Sequence, residues 1–338
     1  MQGNRQIVFT RINTAELIEC DYPSLNDNGI IVKTEISSIS AGTERANITG
    51  DPNVSIYTEG RVFFPRYSGY SSSGTVIEVG QNVTDVQVGD KVVMSWSFHE
   101  EYNALDAGNY VKIPDGVSMN EAALCHIGTF PLAALRKTRL EIGESVLVMG
   151  LGILGMMAVE FAKVGGGAPV IAVDPIKERR EKALLCGADY ALDPFAKDFA
   201  DEVKALTDGG VNVAIEVTGS GAGLNECLDC MKKFGRVALL GCTRDKNFTV
   251  DYYRKVHGPG ITLIGAHTMA RPAYESAPGA FTQKDDIRSI LKLIRYGRLG
   301  FDSQIDEIHS PAECGEVYAR LVSDKNFPVF VQFDWSRL

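Results

Sequence analysis

Apolar residues in the first third of the chain recur in short runs that alternate with polar residues. Three of these runs, at 30–36, 74–79 and 91–94, predict strands because they are rich in β-branched residues and follow a period of two. Glycine, proline, asparagine and aspartate separate the runs between residues 6 and 115, and no long helical period interrupts them. We therefore predict a mostly-β region, followed by a helix from Met119 to about Arg136.

Strand-like and helix-like patterns alternate between about residues 118 and 266. The predicted strands are 145–149, 170–173, 188–192, 211–215, 236–240 and 261–264, and the predicted helices are 156–164, 177–186, 198–206 and 223–233. Alternation of this kind predicts a doubly wound parallel sheet with helices on both faces. Ligands bind such sheets at the carboxyl ends of the strands, where the strand order reverses.

The pattern changes again from His267 to the end of the chain. A loop at 271–279 precedes a helix at 286–295, which carries Ile287, Ile290, Leu291 and Ile294 on one face. A last strand is predicted at 327–333, and its β character indicates a return to the first region. We therefore predict a β domain over 1–120, a dinucleotide-binding domain over 121–266, and a return to the first domain over 267–338.

A glycine-rich turn stands where the strand at 145–149 gives way to a helix. Gly150, Gly152 and Gly155 form a G-x-G-x-x-G motif, which permits a tight turn, close approach to a pyrophosphate, and close packing of helix on strand. The next strand ends in Asp174, 19 residues after Gly155, where an acceptor for ribose hydroxyls is expected. The motif predicts a dinucleotide site that includes Ile153 and Leu154; the alternative is a purely structural glycine turn.

Bulk composition narrows the class of protein. The 338 residues suit two domains, and the 45% hydrophobic and 23% charged fractions are those of a globular protein. A net charge of −9 without a basic cluster disfavours nucleic acid as a partner. No apolar run reaches the length of a membrane helix, and no signal peptide is visible. Seven scattered cysteines then favour a reducing, cytoplasmic location.

Several stretches of the chain resemble the medium-chain dehydrogenase/reductase superfamily. Residues 74–92 reproduce the glycine, valine and Gly-Asp spacing of its GroES-like domain, and 110–116, 187–189 and 216–219 are similar to further segments of that family. The resemblance covers nearly the whole chain and implies an α/β protein, with a GroES-like mostly-β catalytic domain and a Rossmann doubly wound parallel sheet. It also implies a homodimer or homotetramer that associates near 261–264.

The resemblance extends the predicted cofactor site. It implies that Thr218, Gly241 and Gly265 contact the cofactor, and that Arg179 reaches the adenosine ribose, unless Arg179 is only a solvated helix residue. The carboxylate of Asp174 should repel a 2′-phosphate, so the predicted cofactor is NAD.

Departures from the zinc-containing members are equally informative. This chain has Ala41 and Tyr70 where zinc alcohol dehydrogenases carry a cysteine and a histidine, and no cysteine stands between Ser95 and Tyr110. A catalytic zinc needs three protein ligands, and only Cys125 or His126 remains near the third position. We therefore predict no metal ligands, with any residual metal binding by Cys125 or His126 left open. Residues 40–45 with Gly69-Tyr70 are similar to bacteriochlorophyllide-type dehydrogenases, which oxidise a secondary hydroxyl.

Four residues are candidates for catalysis. Thr43 occupies the family's proton-relay position, or it bonds the backbone at a strand end. Tyr70 replaces a zinc ligand and is either a general acid or a wall of the cleft. Glu44 accepts a bond from a sugar hydroxyl or pairs with a cation such as Arg45. His126 is either a proton shuttle or a satisfied interior histidine.

Two further residues are candidates for substrate contact. Trp96 either lines the substrate pocket or belongs to a core at a domain seam. His267 follows the strand that ends at Gly265, which places it near the substrate by topology, although a simple loop histidine has the same sequence signature. Cys227 and Cys230 form an isolated C-x-x-C motif that we interpret as core packing.

Together these observations predict a cytoplasmic, zinc-independent, NAD(H)-dependent oxidoreductase. It would interconvert a secondary hydroxyl and a carbonyl on a polyol, sugar or similar small molecule. The polar substrate class is inferred from the resemblance and from the polar residues Thr43, Glu44, Tyr70, Ser71 and Ser72. The alternatives are an NAD(P)H-dependent enoyl or quinone reductase and a nucleotide-binding protein without turnover.

Overall fold

The structure, a computed structural model, describes residues 3–53, 62–243 and 247–338. It divides into two compact units: unit 1 contains Met1–Ile127 and Ile287–Leu338, and unit 2 contains Gly128–Asp286. The sequence placed the divisions near residues 120 and 266. The stretch 267–286 belongs to unit 2 because Asp286, which is fully buried there, accepts a 2.8 Å hydrogen bond from Arg136 and lies 3.4 Å from Arg271.

The chain before Gly128 consists mainly of strands. These are β1 (Gly3–Arg11), β2 (Thr14–Asp21), β3 (Gly29–Ser38), β4 (Arg66–Tyr67), β5 (Ser71–Val79), β6 (Lys91–Ser95), β7 (Tyr102–Asp106) and β8 (Tyr110–Lys112). Helices α1 (Ala41–Ile48) and α2 (Met119–Ala122) lie in this stretch, and α3 (Cys125–Thr138) begins at its end. The strands predicted at 30–36, 74–79 and 91–94 are confirmed as parts of β3, β5 and β6, and the predicted helix is divided into α2 and α3.

Helix α1 was not predicted, because its sequence has no amphipathic period and contains the weak helix formers Gly42, Thr43 and Asn47. Contacts with the rest of unit 1 hold it in place. Ile48 is fully buried, and the guanidinium of Arg45 donates hydrogen bonds of 2.8 and 3.0 Å to the carbonyls of Leu321 and Asp324. Tertiary packing therefore decides the conformation of this segment.

Unit 2 contains a six-stranded parallel sheet. Its strands are β9 (Val146–Met149), β10 (Val170–Val173), β11 (Tyr190–Leu192), β12 (Val211–Glu216), β13 (Met231–Leu239) and β14 (Thr262–Gly265), and its helices include α4 (Ile153–Val164), α5 (Lys177–Leu185), α6 (Phe199–Leu206) and α7 (Gly221–Asp229). The spatial order is β11-β10-β9-β12-β13-β14, so the doubly wound sheet is confirmed. Its order reverses between β9 and β12, where such folds bind ligands.

The helix predicted at 223–233 was too long. Helix α7 ends at Asp229, and β13 begins at Met231, which pairs with Val211 of β12. Lys232 and Lys233 were assigned to the helix but belong to β13, in which the next residue, Phe234, adopts a positive φ of 64°. An irregular register between the paired strands accommodates these residues.

After Asp286 the chain forms the rest of α8 (Gln283–Arg295), then β15 (Glu307–His309), α9 (Cys314–Ser323) and β16 (Val331–Asp334). Strand β16 pairs antiparallel with β3 of the β region, and it is shorter than the predicted strand at 327–333. The larger sheet of unit 1 has the order β15-β16-β3-β5-β6-β8 with β7 also on β3, and a smaller sheet has the order β2-β1-β4. Among the described residues, every helix is too short or too polar to cross a membrane.

Candidate active site

The glycine-rich turn between β9 and α4 combines close backbone packing with open space. Gly150 has a φ of +98°, which favours glycine, and a Cβ on Gly155 would lie 1.8 Å from the Gly150 carbonyl oxygen. By contrast, a Cβ on Gly152 would meet no atom within 4 Å. Open space therefore lies beside Gly152 at the N-terminus of α4, where backbone N–H groups and the helix dipole favour an anion.

Asp174 follows β10 directly and turns its carboxylate toward this loop. It is 4% exposed, and its two oxygens accept hydrogen bonds of 2.8 Å from Leu151 N and 2.9 Å from Ile176 N. The guanidinium of Arg179, on α5, lies 3.8 Å from the same carboxylate. Arg180 donates instead to the Asp174 carbonyl at 2.7 Å. The structure therefore brings Asp174 and Arg179 together beside the glycine loop.

The loops after β12 and β13 complete this end of the sheet. A Cβ on Gly150 would lie 3.0 Å from the Thr218 side chain, and a Cβ on Gly241 would lie 2.3 Å from Gly219 N. Thr218 and Gly241 thus lie at the point where the strand order reverses. Within the first turn of α4, Ile153 is buried and Leu154 is half-buried.

Glu216 was not predicted as a site residue. Its carboxylate is 3% exposed and accepts hydrogen bonds from the Thr218 N–H at 2.7 Å, from the Thr218 hydroxyl and from the Gly219 N–H at 3.1 Å. Burial raises the pKa of this carboxyl group, while these hydrogen bonds act in the opposite direction. The sequence does contain a signal for Glu216: it is a single acidic residue directly after the predicted apolar strand 211–215.

Gly265 and His267 lie at the end of β14. The carbonyl of Gly265 accepts a 2.9 Å hydrogen bond from the ammonium group of Lys137, a residue that the sequence did not single out. Burial lowers the pKa of Lys137, and nearby Arg271 acts in the same direction. His267 is exposed, and its Nδ1 accepts a 3.2 Å hydrogen bond from Met269 N, so its ring takes part in a local turn.

In unit 1 the structure brings Tyr70, Trp96 and His126 together. The ring centroids of Trp96 and His126 are 4.8 Å apart at 71°, and those of Tyr70 and His126 are 5.7 Å apart at 82°. The rings of Tyr70 and Trp96 are 6.1 Å apart. His126 is fully buried, whereas Trp96 is 40% exposed. We call these three residues the aromatic cluster.

Glu44 belongs to a different set of contacts. Its carboxylate is 2% exposed, accepts a 2.8 Å hydrogen bond from Ser40 N and a second bond from the Tyr318 hydroxyl, and lies 3.3 Å from His99 Nε2. Arg45 is not its partner among these contacts. Glu44 instead joins α1, α9 and the segment before β7.

Other polar residues near the cluster are also engaged internally. The Ser71 hydroxyl donates to the Ala123 carbonyl at 2.6 Å, and the hydroxyls of Ser72 and Ser97 are 2.9 Å apart. Thr43 lies in the first turn of α1, so the interpretation of a strand-end threonine was wrong. The buried serines and Glu44 therefore do not support the polar substrate class that the sequence inferred from them.

The three cysteines that the sequence singled out, Cys125, Cys227 and Cys230, are buried free thiols. Cys125 is fully buried, its Sγ lies 3.5 Å from the Glu121 carbonyl, and burial raises its pKa well above the usual range. Cys227 and Cys230 lie in the core of unit 2, where burial raises the pKa of Cys230 to about 12. Within residues 3–53, 62–243 and 247–338, no group of three or more histidine, cysteine or acidic residues has the geometry to hold a metal ion.

Comparison with known proteins identifies the family. Residues 27–158 match the alcohol dehydrogenase GroES-like domain, and residues 154–281 match the zinc-binding dehydrogenase domain. L-threonine 3-dehydrogenase of Pyrococcus horikoshii is 30% identical over 284 residues, which cover 74% of this chain and 79% of that protein. The chain belongs to the medium-chain, zinc-type alcohol dehydrogenase-like superfamily. It is an oxidoreductase of the alcohol dehydrogenase type.

Other relatives extend the similarity over nearly the whole chain. D-guloside 3-dehydrogenase of Shigella flexneri is 26% identical over 337 residues, covering 94% of this chain and 96% of that protein. The structure of benzyl alcohol dehydrogenase from Acinetobacter calcoaceticus has the same fold, with a TM-score of 0.85, 21% identity and 99% coverage of both chains. These relatives confirm the predicted GroES-like domain and Rossmann sheet.

Two similar structures contain a bound cofactor. A dehydrogenase from Sinorhizobium meliloti was solved with NADP (TM-score 0.81, 19% identity, 99% of this chain and 100% of that chain). A dehydrogenase from Escherichia coli CFT073 was solved with NADH (TM-score 0.84, 18% identity, and the same coverage). At 18–19% sequence identity, the similarity of this chain to these two structures establishes a shared fold and does not decide which cofactor it binds.

Proposed function

We propose that the protein is a zinc-independent, NAD-dependent dehydrogenase that interconverts a secondary hydroxyl and a carbonyl on a polyol, sugar or similar small molecule. The observation that carries this proposal is the placement of the buried Asp174 carboxylate against the glycine loop, next to open space at Gly152. Relatives named L-threonine 3-dehydrogenase and D-guloside 3-dehydrogenase support the oxidation of a hydroxyl group.

The residues of unit 2 fit a dinucleotide. Gly150, Gly152 and the first turn of α4 would hold its pyrophosphate, and Asp174 would accept bonds from the ribose hydroxyls. Thr218, Gly241 and Gly265 would contact it at the ends of the following strands. When bound, NAD supplies the hydride acceptor. NAD is preferred over NADP in this proposal because Arg179 faces Asp174 and Arg180 bonds the carbonyls of Asp174 and Pro175, so neither arginine is held ready for a 2′-phosphate.

Independence from zinc is supported by the chemistry of the side chains at the family's ligand positions. The methyl group of Ala41 cannot ligate a metal, and Tyr70 offers only a neutral phenol. Cys125 is a buried thiol whose raised pKa disfavours the thiolate that zinc requires. We expect less than stoichiometric zinc by elemental analysis and full activity in EDTA. One zinc per chain, removable only with loss of turnover, would contradict this part of the proposal.

Proton transfer then falls to the chain's own side chains. We assign Tyr70 as the group that hydrogen-bonds the reacting oxygen, and Thr43 as the hydroxyl that passes the proton onward. His126 is fully buried, so this proposal does not use its imidazole as a proton shuttle to solvent. Its contact with the Tyr70 ring instead gives it a role in orienting that residue.

The experiment follows absorbance of the reduced nicotinamide. Purified protein is mixed with NAD⁺ or NADP⁺ and a panel of polyols, sugars and L-threonine, and separately with NADPH and a quinone or an enone. The proposal expects reduction of NAD⁺ by at least one hydroxyl compound. Turnover with the quinone or enone alone would replace it with a reductase function. Cofactor binding without any turnover would indicate a nucleotide-binding protein.

We also propose that two copies associate through β14, as the family resemblance implies. This strand is at the end of the described six-stranded sheet, and Thr262, Leu263 and Gly265 are exposed along it. An edge strand with exposed residues can pair with the same strand of another copy. Sedimentation velocity measures the oligomeric state, and a monomer at micromolar concentration would contradict this proposal.

A further inference from the structure

We propose that the aromatic cluster binds the C–H face of a pyranose ring, with the indole of Trp96 as the stacking surface. The substrate class would then be cyclic glycosides rather than open-chain polyols. This inference rests on the proposed function, because it names the substrate of the same site. The observations that carry it are the backbone conformation of Trp96, its exposure and the arrangement of the three rings.

Trp96 is held in an unfavourable backbone conformation. Its φ of 57° lies in the left-handed region, which a bulky residue rarely adopts. The adjoining strands enforce this conformation: Ser95 of β6 pairs with Ser71 of β5, and Trp96 N donates a 2.9 Å hydrogen bond to the Tyr70 carbonyl. Strained residues of this kind persist where the surrounding structure fixes them, and they cluster at ligand sites.

A large part of the Trp96 apolar side chain is exposed. The Trp96 side chain is 40% exposed although the His126 ring packs against it at 4.8 Å. The protein's other tryptophan, Trp335, shows the ordinary arrangement, because it is 4% exposed and donates its indole N–H to Ser37 at 2.9 Å. An indole that packs against the His126 ring and is still 40% exposed provides a rigid apolar surface for a flat ligand.

A pyranose ring matches this surface better than an open-chain polyol. Where its ring hydroxyls are equatorial, as in a glucopyranoside, the axial C–H groups form a flat apolar face and the hydroxyls project from the rim. A flexible polyol presents no such face and loses more conformational freedom on binding. The choice of a glycoside also agrees with D-guloside 3-dehydrogenase, a relative named for a cyclic glycoside that covers 94% of this chain.

The first test measures binding without turnover. Because the chain has two tryptophans, and Trp335 is buried, a ligand stacked on Trp96 should change the intrinsic fluorescence. Cofactor-free protein is titrated with methyl glycopyranosides of glucose, galactose and gulose, with sorbitol and galactitol, and with benzyl alcohol. We expect a saturable change with at least one glycoside, its persistence in Trp335→Phe, in which Trp96 is the remaining tryptophan, and little change with the polyols.

The second test is kinetic and uses NAD⁺ with the same compounds. Trp96→Leu should raise KM for a glycoside about tenfold while kcat changes less than about twofold, because stacking stabilises ground state and transition state alike. KM for sorbitol should change less than about twofold, and Trp335→Phe, the matched control, should keep the preference for glycosides. Equal losses for sorbitol and glycoside, or a preference for benzyl alcohol, would overturn the inference.

The two failures are distinguishable. If sorbitol or galactitol is oxidised and no glycoside binds or reacts, the proposed dehydrogenase function stands and the inference about glycosides is wrong. If no hydroxyl compound is oxidised, the proposed function fails, and the fluorescence titration alone decides whether the aromatic cluster binds a glycoside.

Discussion

Tyr70 is the single residue on which the proposed proton transfer depends most. Tyr70→Phe should lower the rate of hydride transfer by about 10²–10⁴-fold, the usual contribution of a general acid–base group. Affinity for NAD should stay nearly unchanged, because the aromatic ring that packs on His126 is kept. Single-turnover measurements at saturating cofactor test this. Thr43→Val should lower the rate of hydride transfer by a smaller factor, since water can replace a relay hydroxyl.

A Tyr70→Phe enzyme with the full rate would show that Tyr70 is only a wall of the pocket. His267 would then be the next candidate to test, because it is exposed and its ring makes only a local contact with Met269 among the hydrogen bonds described above.

Asp174 is the residue that decides between the two nicotinamide cofactors. Asp174→Ser should weaken NAD binding by about 1.5–3 kcal/mol, the range for a hydrogen bond to a charged group, and improve NADP relative to NAD. Asp174→Asn is the matched control, because its side-chain oxygen can still accept a bond from Leu151 N or Ile176 N. Fluorescence titration gives the dissociation constants of NAD and NADP for the two variants and for the unmutated protein. Tighter binding of NADP than of NAD by the unmutated protein would contradict the assignment.

At the scale of the secondary-structure elements, two glycines at the junction of β9 and α4 have different roles. We assign Gly155 to the packing of α4 and Gly152 to cofactor binding. Gly155→Ala should lower the melting temperature, because its Cβ would lie 1.8 Å from the Gly150 carbonyl and α4 would have to move. Gly152→Ala should leave stability nearly unchanged, since its φ of −72° suits alanine and its Cβ meets nothing within 4 Å. The same Cβ would occupy the space proposed for the pyrophosphate.

We therefore expect Gly152→Ala to weaken NAD binding at least about tenfold, or 1.4 kcal/mol, with a melting temperature close to that of the unmutated protein. Calorimetry and a cofactor titration measure the two properties on the same samples. Unchanged NAD affinity in Gly152→Ala would place the pyrophosphate elsewhere.

For the whole molecule, the pH dependence of stability should reflect Glu100. Burial raises its pKa to about 7, and it accepts hydrogen bonds from the side chains of Asn4 at 2.7 Å and Gln6 at 2.9 Å. Because the folded pKa lies above the ordinary value of 4.5, the folded state binds more protons between these two values. The free energy of unfolding should therefore fall as pH rises from about 4.5 to 7 and then level off with respect to this group.

Glu100→Gln should remove the destabilisation that the ionised Glu100 carboxylate causes. The free energy of unfolding should therefore rise by about 1–3 kcal/mol at pH 8, and this gain should disappear toward pH 4. The Gln6 amide can reverse to accept a bond from the new amide. Glu101→Gln is the matched control, because Glu101 pairs with the half-exposed Arg5 at 2.9 Å and should give no gain. Denaturant unfolding at both pH values measures the effect, and an equal gain at pH 4 and pH 8 would rule out Glu100 as its source.

The sequence by itself determined the Rossmann sheet, the glycine loop and the position of Asp174. These features are local: the apolar runs of the buried parallel strands, the spacing of Gly150, Gly152 and Gly155, and an acidic residue after β10 all lie within short stretches of the chain. The same local patterns predicted β3, β5 and β6 and the β character of the chain's end.

Only the tertiary structure decided the rest. Helix α1 has no period of its own and is held by distant groups, and Glu44 bonds Tyr318, which is 274 residues away in the chain. The meeting of Tyr70, Trp96 and His126 depends on the pairing of β5 with β6 and on the placement of α3. Buried polar groups must find hydrogen-bond partners wherever the fold brings them, so these partners cannot be read from local spacing.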